Sequence, residues 1–127
     1  MARSYDRTSY SYYPNLGRIE LNIEMKLKNI KVPTDKISEL CQKWHICKLS
    51  LFGSVLRDDF TANSDIDVLV EFEPEFTPGF LKLHQIQEEL SDLFDRRTID
   101  LVTLKFLNHR IRDQVLANAE VCYVAKK

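Results

Sequence analysis

Two aspartates separated by one apolar residue are the strongest chemical feature of the sequence. Asp65 and Asp67 flank Ile66, so on an extended strand both carboxylates would project from one face, roughly 6.5–7 Å apart along the chain. Carboxylates beside a buried strand are costly to desolvate and repel each other, and an oxygen-preferring cation such as Mg²⁺ would offset both effects. The pair therefore predicts a metal site. An isolated pair of this kind also fits a solvated turn at a strand entrance, so its sequence context decides.

That context is a Gly53-Ser54 pair, which follows a predicted strand and precedes the aspartates. Glycine lets a phosphate approach the backbone closely, and N–H groups freed at a turn or helix start can bind its oxygens. Ser54 adds a hydroxyl donor. Alone, Gly-Ser indicates only a turn, but here ten residues separate Ser54 from Asp65. The combination predicts a phosphate-binding turn beside a metal site.

The pattern Gly-Ser, ten residues, Asp-x-Asp resembles the signature of the polymerase-β-like nucleotidyltransferase superfamily. Residues 51–57 (LFGSVLR) and 64–70 (SDIDVLV) are similar to its minimal nucleotidyltransferase (MNT) branch. The resemblance covers the chain from about Met25 to the C-terminus and does not cover residues 1–24. It implies an α/β fold of the α+β kind, in which a small mixed sheet is flanked by helices.

The resemblance also implies a third carboxylate from a neighbouring strand. Asp100 lies in the similar segment, residues 96–103 (RRTIDLVT). Alternation of Thr98, Asp100 and Val102 along a strand would place Asp100 on one face with its apolar neighbours opposite. The alternative is a paired surface aspartate on an edge strand.

By resemblance, the activity is Mg²⁺-dependent transfer of a nucleoside monophosphate from a nucleoside triphosphate to an acceptor hydroxyl. Asp65, Asp67 and Asp100 would be the catalytic residues and the ligands of two Mg²⁺ ions, and Gly53 and Ser54 would bind the phosphates of ATP. The proton of the acceptor hydroxyl would leave to a base. Asp100 would serve as that base or as a metal ligand, and the sequence does not separate the two roles.

Small stand-alone MNT proteins resemble the antitoxin half of HEPN/MNT toxin–antitoxin pairs, in which the MNT protein adenylylates a tyrosine of a HEPN ribonuclease. The predicted function is therefore an antitoxin-type protein adenylyltransferase in a hetero-oligomer with a HEPN toxin. A lone catalytic core has little surface to enclose a small acceptor, which favours a protein that presents its own hydroxyl. Two alternatives stay open: transfer to a small molecule, as in aminoglycoside nucleotidyltransferases, and a non-catalytic antitoxin that acts by binding alone.

Other side chains with chemical potential have simpler interpretations. Arg57 matches a basic residue of the family pattern and would contact a nucleotide phosphate, but an ion pair with a neighbouring aspartate is as good an interpretation. Cys41, His45 and Cys47 have loosely metal-like spacing without a fourth ligand. Because Cys41 falls on the apolar side of a predicted helix, a core cysteine is the better prediction.

Length and composition limit the classes of protein. The 127 residues suit one domain, with residues 1–24 as a partly flexible extension and residues 25–127 as the MNT domain. Eighteen basic and 19 acidic residues leave a net charge of −1, so no overall basic field attracts nucleic acid and no direct nucleic-acid partner is expected. Three cysteines, an odd number, favour a reducing cytoplasm. No apolar run approaches the roughly 18–20 residues of a membrane span, so no membrane partner is expected.

The N-terminal part of the chain is predicted to contain an arm, a strand and a helix. Residues 1–17 are polar and tyrosine-rich without an apolar period, which predicts a flexible arm. Alternation of apolar and polar residues over 19–27 predicts a half-buried strand. A helix is predicted to start with Thr34 as N-cap and Asp35 in its first turn. Its apolar face consists of Ile37, Leu40, Cys41 and Trp44.

The chemical residues are predicted to lie on strands that helices cover. Strands are predicted from Leu49 to Phe52, over residues 65–72 and over residues 98–103. A helix starting at Pro78 is predicted to pack on the sheet. Its inward residues are Leu83, Ile86, Leu90 and Leu93. A last helix is predicted after the third strand. Its inward side chains are Phe106, Ile111, Val115, Leu116 and Ala119. Residues 121–124 are predicted to add a strand or to dock.

Overall fold

A four-stranded mixed sheet organises the part of the chain that the structure, a computed structural model, describes: residues 25–125. Its strands are β3 (Ile46–Phe52), β4 (Ile66–Phe72), β5 (Ile99–Thr103) and β6 (Glu120–Val124), in the order β5-β4-β3-β6. A separate two-stranded hairpin consists of β1 (Met25–Lys26) and β2 (Lys31–Val32). The helices are α1 (Thr34–Trp44), α2 (Phe80–Leu93) and α3 (His109–Asn118).

The strand directions follow from the connections. β3 pairs antiparallel with both β4 and β6, whereas β4 and β5 are parallel. A parallel pair requires a crossover, and α2 supplies it between β4 and β5. The predicted α+β architecture with a mixed sheet flanked by helices is therefore confirmed.

The core forms where α1 and α2 pack against one face of the sheet. Alternate residues of β4, Ile66, Val68 and Val70, are fully buried, as a pleated strand with one apolar face requires. The helices contribute Ile37, Leu40, Cys41, Ile86 and Leu90 to the same cluster. Asp67 projects from the opposite side of the pleat, so core packing determines where its carboxylate points.

Several predicted boundaries differ from those of the structure. Pro33, not Thr34, is the N-cap of α1, and Thr34 is its first helical residue. α2 begins at Phe80 after an extended Gly79, two residues beyond Pro78. β3 begins at Ile46 and is longer than the sequence pattern indicated. The C-terminal strand is confirmed as β6. The predicted arm and most of the predicted strand over 19–27 lie outside the described residues.

The last helix is confirmed, but the prediction that its apolar face is buried was wrong. α3 begins at His109 with Asn108 as N-cap, and none of its residues is buried. Phe106 precedes the helix and is 74% exposed, while Ile111 and Leu116 are more than 40% exposed. The apolar face of the sheet is already covered by α1 and α2, so α3 adds no buried side chain to the core.

All three cysteines are free, and Cys41 is buried in the core as predicted. Within residues 25–125, none of the helices is long and apolar enough to cross a membrane.

Candidate functional site

Strand register brings two of the three predicted aspartates together. Phe52 of β3 is the partner of Asp67 in β4, and Asp67 is the partner of Asp100 in the parallel strand β5. The three residues therefore form one row across the sheet. The next row, Leu51, Val68 and Leu101, belongs to the opposite face of the pleat. Asp67 and Asp100 thus share a face that the core does not use.

The carboxyl groups of Asp67 and Asp100 are in contact. The pKa of Asp67 is raised from 3.8 to about 6, first by burial and then by the charge of Asp100 and a hydrogen bond with the Asp100 carboxyl group. Two neighbouring carboxylates repel each other when both are ionised, and a bound cation would relieve that repulsion. This is the electrostatic arrangement expected of a cation site and not of a solvated turn.

Asp65 belongs to this acidic group by charge and not by contact. It lies just before β4 and is exposed, and its negative charge also raises the pKa of Asp67. Among the side chains of the described residues, no three His, Cys, Asp or Glu residues form a ready-made cage for a metal ion. Three anions converge only when a positive charge neutralises them. Oxygen donors from three aspartates nevertheless suit Mg²⁺, so the chemistry of this donor set fits the ion.

Gly53 closes the site from the side of β3. Its φ of +80° lies in the region that favours glycine, and a Cβ placed on it would lie 2.1 Å from Oδ2 of Asp67. The backbone of Gly53 and the carboxylate of Asp67 therefore occupy adjoining space that a side chain would fill. Gly53 also begins a short 3-10 turn, Gly53–Leu56, which contains Ser54. The structure thus places the predicted phosphate turn directly beside the acidic pair.

Arg57 forms the ion pair that was one of its two predicted interpretations. Its side chain is exposed, and Nε donates to Oδ1 of Asp59 at 3.2 Å. An exposed pair of this kind contributes little to stability. The positive charge of Arg57 also lowers the pKa of Asp67 slightly against the larger opposing effects, so the guanidinium lies within electrostatic range of the acidic pair.

Two residues that donate hydrogen bonds to the loops of the site were not found from the sequence. Asn29, in the β1–β2 hairpin, donates through Nδ2 to the carbonyl oxygens of Val55 at 2.6 Å and Arg57 at 2.8 Å, and so holds the turn that follows Gly53. Arg97 donates to backbone carbonyls of the loop before Asp65. Both interactions join residues that are far apart in the chain, so no local pattern could have indicated them.

The three histidines, all within the described residues, form no second metal site. His84 and His109 are exposed on helix surfaces. His45 is half-buried and ends α1 in a left-handed conformation, with its ring stacked on Phe76 at a centroid distance of 3.6 Å. A structural role in ending the helix accounts for His45 better than metal binding does.

The acidic pair predicts a pH dependence of stability. The pKa of Asp67 is 3.8 in the unfolded chain and about 6 in the fold, so the folded state holds this proton more tightly. The stabilising contribution of the protonated group is complete below pH 3.8 and is lost as the pH rises through about 6. Asp100→Asn removes the neighbouring charge and should flatten this part of the profile. Urea unfolding of the wild type and of Asp100→Asn between about pH 4 and pH 7, without divalent cations, measures this pH dependence. If the free energy of unfolding changed with pH equally in the two proteins, the contact between Asp67 and Asp100 would be contradicted.

Comparison with known proteins identifies relatives of the whole region that contains the site. A family model for the nucleotidyltransferase domain matches residues 35–122. The protein adenylyltransferase MntA of Thermococcus cleftensis is 36% identical over 86 residues, which cover 68% of this chain and 82% of that protein. A candidate protein adenylyltransferase of Methanocaldococcus jannaschii is 41% identical over 63 residues, which are 50% of this chain. The match spans only 61% of the length of the M. jannaschii protein.

Solved structures share the fold. One described as a candidate minimal nucleotidyltransferase has a TM-score of 0.57 and 31% identity, and the match covers 68% of this chain and 85% of that one. A toxin–antitoxin structure with AMP-PNP has a TM-score of 0.60 and 23% identity over 75% of this chain and 76% of that one. The MntA-HepT toxin–antitoxin structure has a TM-score of 0.53 and 22% identity, and the match covers 72% of this chain and 70% of that one. At these lower identities the likeness establishes the fold alone.

Proposed function

Because the chain belongs to the nucleotidyltransferase domain family, we propose that it transfers AMP from ATP to a tyrosine hydroxyl of a partner HEPN ribonuclease toxin. The transfer would inactivate the toxin, which makes this chain the antitoxin of the pair. One observation carries the catalytic part of the proposal: Asp67 and Asp100 contact each other in one register row, beside a glycine whose missing Cβ leaves room at the carboxylate. A structural ion pair joins opposite charges, whereas this contact joins two carboxyl groups of the same charge.

The acidic group would bind the metal. Asp67 and Asp100 would provide carboxylate oxygens from adjacent strands, and Asp65, on the same side of β4, would complete the set. When bound, Mg²⁺ neutralises the triphosphate and lowers the pKa of the acceptor hydroxyl. The Gly53–Leu56 turn would receive the β- and γ-phosphates, because Gly53 exposes its backbone and Ser54 offers a hydroxyl donor.

The transfer itself would proceed by in-line attack. The acceptor oxygen forms a bond to the α-phosphorus, the bond from that phosphorus to the bridging oxygen breaks, and pyrophosphate leaves with the electron pair. The hydroxyl proton passes to a carboxylate at the site, and Asp100 is the candidate for that role. Positioning of the two reactants supplies most of the expected acceleration.

Three lines of support favour a protein acceptor. The T. cleftensis relative is named a protein adenylyltransferase. Structural neighbours are toxin–antitoxin assemblies, one of them with a nucleotide analogue. An exposed site on one face of a small sheet also suits an acceptor that a second macromolecule presents. The HEPN identity of the partner and its tyrosine rest on the family resemblance.

Incubation with ATP, Mg²⁺ and a cognate HEPN protein is expected to add AMP to a tyrosine of that partner and to suppress its RNA cleavage. Each added group brings a bulky base and a negative phosphodiester close to an RNA-binding surface, so repulsion and steric blockage weaken RNA binding. Intact-mass measurement of the separated partner, followed by an RNA-cleavage assay, tests both effects.

The matched control is an ATP analogue with a methylene group between the α- and β-phosphorus atoms, which binds but cannot release AMP to an acceptor. If the partner keeps its mass with ATP and regains activity on separation, the chain acts by binding alone. If the partner is unchanged but an aminoglycoside is adenylylated, the acceptor is a small molecule.

A further inference from the structure

Arg97 fastens the turn that leads into the acidic group. Its Nη2 donates to the carbonyl oxygen of Thr61 at 2.7 Å and to that of Ser64 at 3.1 Å. These two carbonyls are the ends of one four-residue turn, and Asp65 is the next residue. A single guanidinium therefore closes the turn from outside.

The turn also has four hydrogen bonds of its own, all between residues 61 and 64, whereas the two bonds from Arg97 tie it to the segment before β5. The amide of Ser64 donates to the carbonyl oxygen of Thr61 at 3.1 Å, and the amide of Thr61 donates to Oγ of Ser64 at 2.9 Å. On the other side of Asp65, the amide of Ile66 donates to the carbonyl oxygen of Thr98 at 2.9 Å. The exposed Asp65 thus lies between a turn that Arg97 holds and the first bond to β5.

Arg97 is itself held in a fixed orientation. Its guanidinium lies over the ring of Phe60, 4.5 Å from the centroid, and its carbonyl oxygen accepts a hydrogen bond from Oγ of Ser91 at 2.7 Å. The neighbouring Arg96 is exposed and pairs instead with Asp92 and Glu88 on α2. The two adjacent arginines therefore have different partners: the guanidinium of Arg97 donates hydrogen bonds to the loop before the acidic group, and that of Arg96 pairs with carboxylates of α2.

We propose that Arg97 is a positioning residue that holds Asp65 where it can join Asp67 and Asp100 around the metal of the proposed reaction. This inference rests on the proposed function. The guanidinium donates to backbone carbonyls and covers an aromatic ring, so it acts on the loop and not on a phosphate. Asp65 acts on Asp67 through its charge and not through a hydrogen bond, and the described residues hold no preformed group of three metal ligands. The metal must therefore recruit Asp65, and a turn that is no longer tied to the segment before β5 makes that recruitment costlier.

Arg97→Ala is expected to raise the Mg²⁺ concentration for half-maximal transfer by about 10-fold to 100-fold, the usual effect of removing a residue that orients a metal ligand. Saturating Mg²⁺ should restore most of kcat. In the nucleotide-free protein, the amide of Ser64 should exchange its hydrogen faster while amides of β3 and β4 keep their protection. In both measurements Arg97→Lys should lie between the wild type and Arg97→Ala, because lysine keeps the charge but loses the planar group that stacks on Phe60.

The matched control is Arg96→Ala, which removes a neighbouring arginine of equal charge and should leave both measurements as in the wild type. Unchanged Mg²⁺ dependence in folded Arg97→Ala and Arg97→Lys would overturn the proposal. So would a uniform gain in hydrogen exchange across the sheet with a loss of kcat that Mg²⁺ does not rescue, which indicates a general structural role. Failure of the proposed function is a separate result, since it would appear as absent transfer by the wild type.

Discussion

Asp67→Asn and Asp100→Asn are each expected to reduce transfer by about 100-fold to 1,000-fold, the range found when one preorganised electrostatic group leaves an active site. Asparagine nearly preserves the volume of aspartate but removes the anionic oxygen that a divalent cation requires. Asp65→Asn should act in the same direction. Turnover at saturating ATP and Mg²⁺ measures the loss, and calorimetric titration of ATP with Mg²⁺ reports whether binding falls with it.

Asp67→Asn and Asp100→Asn should leave the folded protein as stable as the wild type or more stable at neutral pH without divalent cations. Burial and the charge of Asp100 raise the pKa of Asp67, so ionisation of Asp67 works against folding. Asp67→Asn removes this unfavourable ionisation, and Asp100→Asn removes the part of it that comes from the neighbouring charge. Loss of activity with preserved or increased stability is the pattern of a functional residue, because active sites sacrifice stability for chemistry.

Asp113→Asn is the matched control. Asp113 is exposed on α3, and its substitution removes the same charge from the chain. It should keep wild-type transfer. Full activity in Asp67→Asn, or an equal loss in Asp113→Asn, would disprove the placement of the metal site at the β4–β5 row.

Gly53→Ala is expected to abolish most of the activity and to destabilise the fold. A methyl group at this position would lie 2.1 Å from Oδ2 of Asp67, far inside van der Waals contact, and the φ of +80° is unfavourable for alanine. Strain of this kind costs about 1–3 kcal/mol. The backbone must shift or Asp67 must turn away, and either response removes the carboxylate from the row that it shares with Asp100.

Gly79→Ala provides the comparison. Gly79 precedes α2 with a φ of −79°, and a Cβ there would meet nothing within 4 Å. Its effect on unfolding by urea should be within about 1 kcal/mol of zero. The interpretation of Gly53 fails if the two substitutions have equal effects on unfolding and on transfer.

Local periodicity was sufficient for most of the sheet and for the first two helices. The alternation around Asp67 predicted which side chains of β4 would be buried, because a pleated strand beside a core permits only one arrangement. The ten residues between Ser54 and Asp65 match the family signature, and this resemblance predicted that the turn and the aspartates belong to one site. In the structure, the β3–β4 hairpin brings Gly53 beside Asp67.

Periodicity failed at α3, where apolar residues at helical spacing were predicted to face a core. Ile111 and Leu116 are instead largely exposed. A helical pattern shows that one side is apolar, but it does not show whether the surface it would cover is already occupied. Here α1 and α2 cover the apolar face of the sheet, and this competition between helices is a property of the whole fold.

The sequence by itself determined the strands, the turn at Gly53 and the acidic character of the site, because these depend on neighbours within a few residues. Only the tertiary structure decided that Asp100 contacts Asp67 while Asp65 stays exposed, since parallel register depends on how α2 returns the chain to the sheet. The same is true of Asn29 and Arg97, whose hydrogen bonds to distant loops exist only after the strands have paired. Long-range pairing has no local signature, because each partner satisfies its own local preferences without the other.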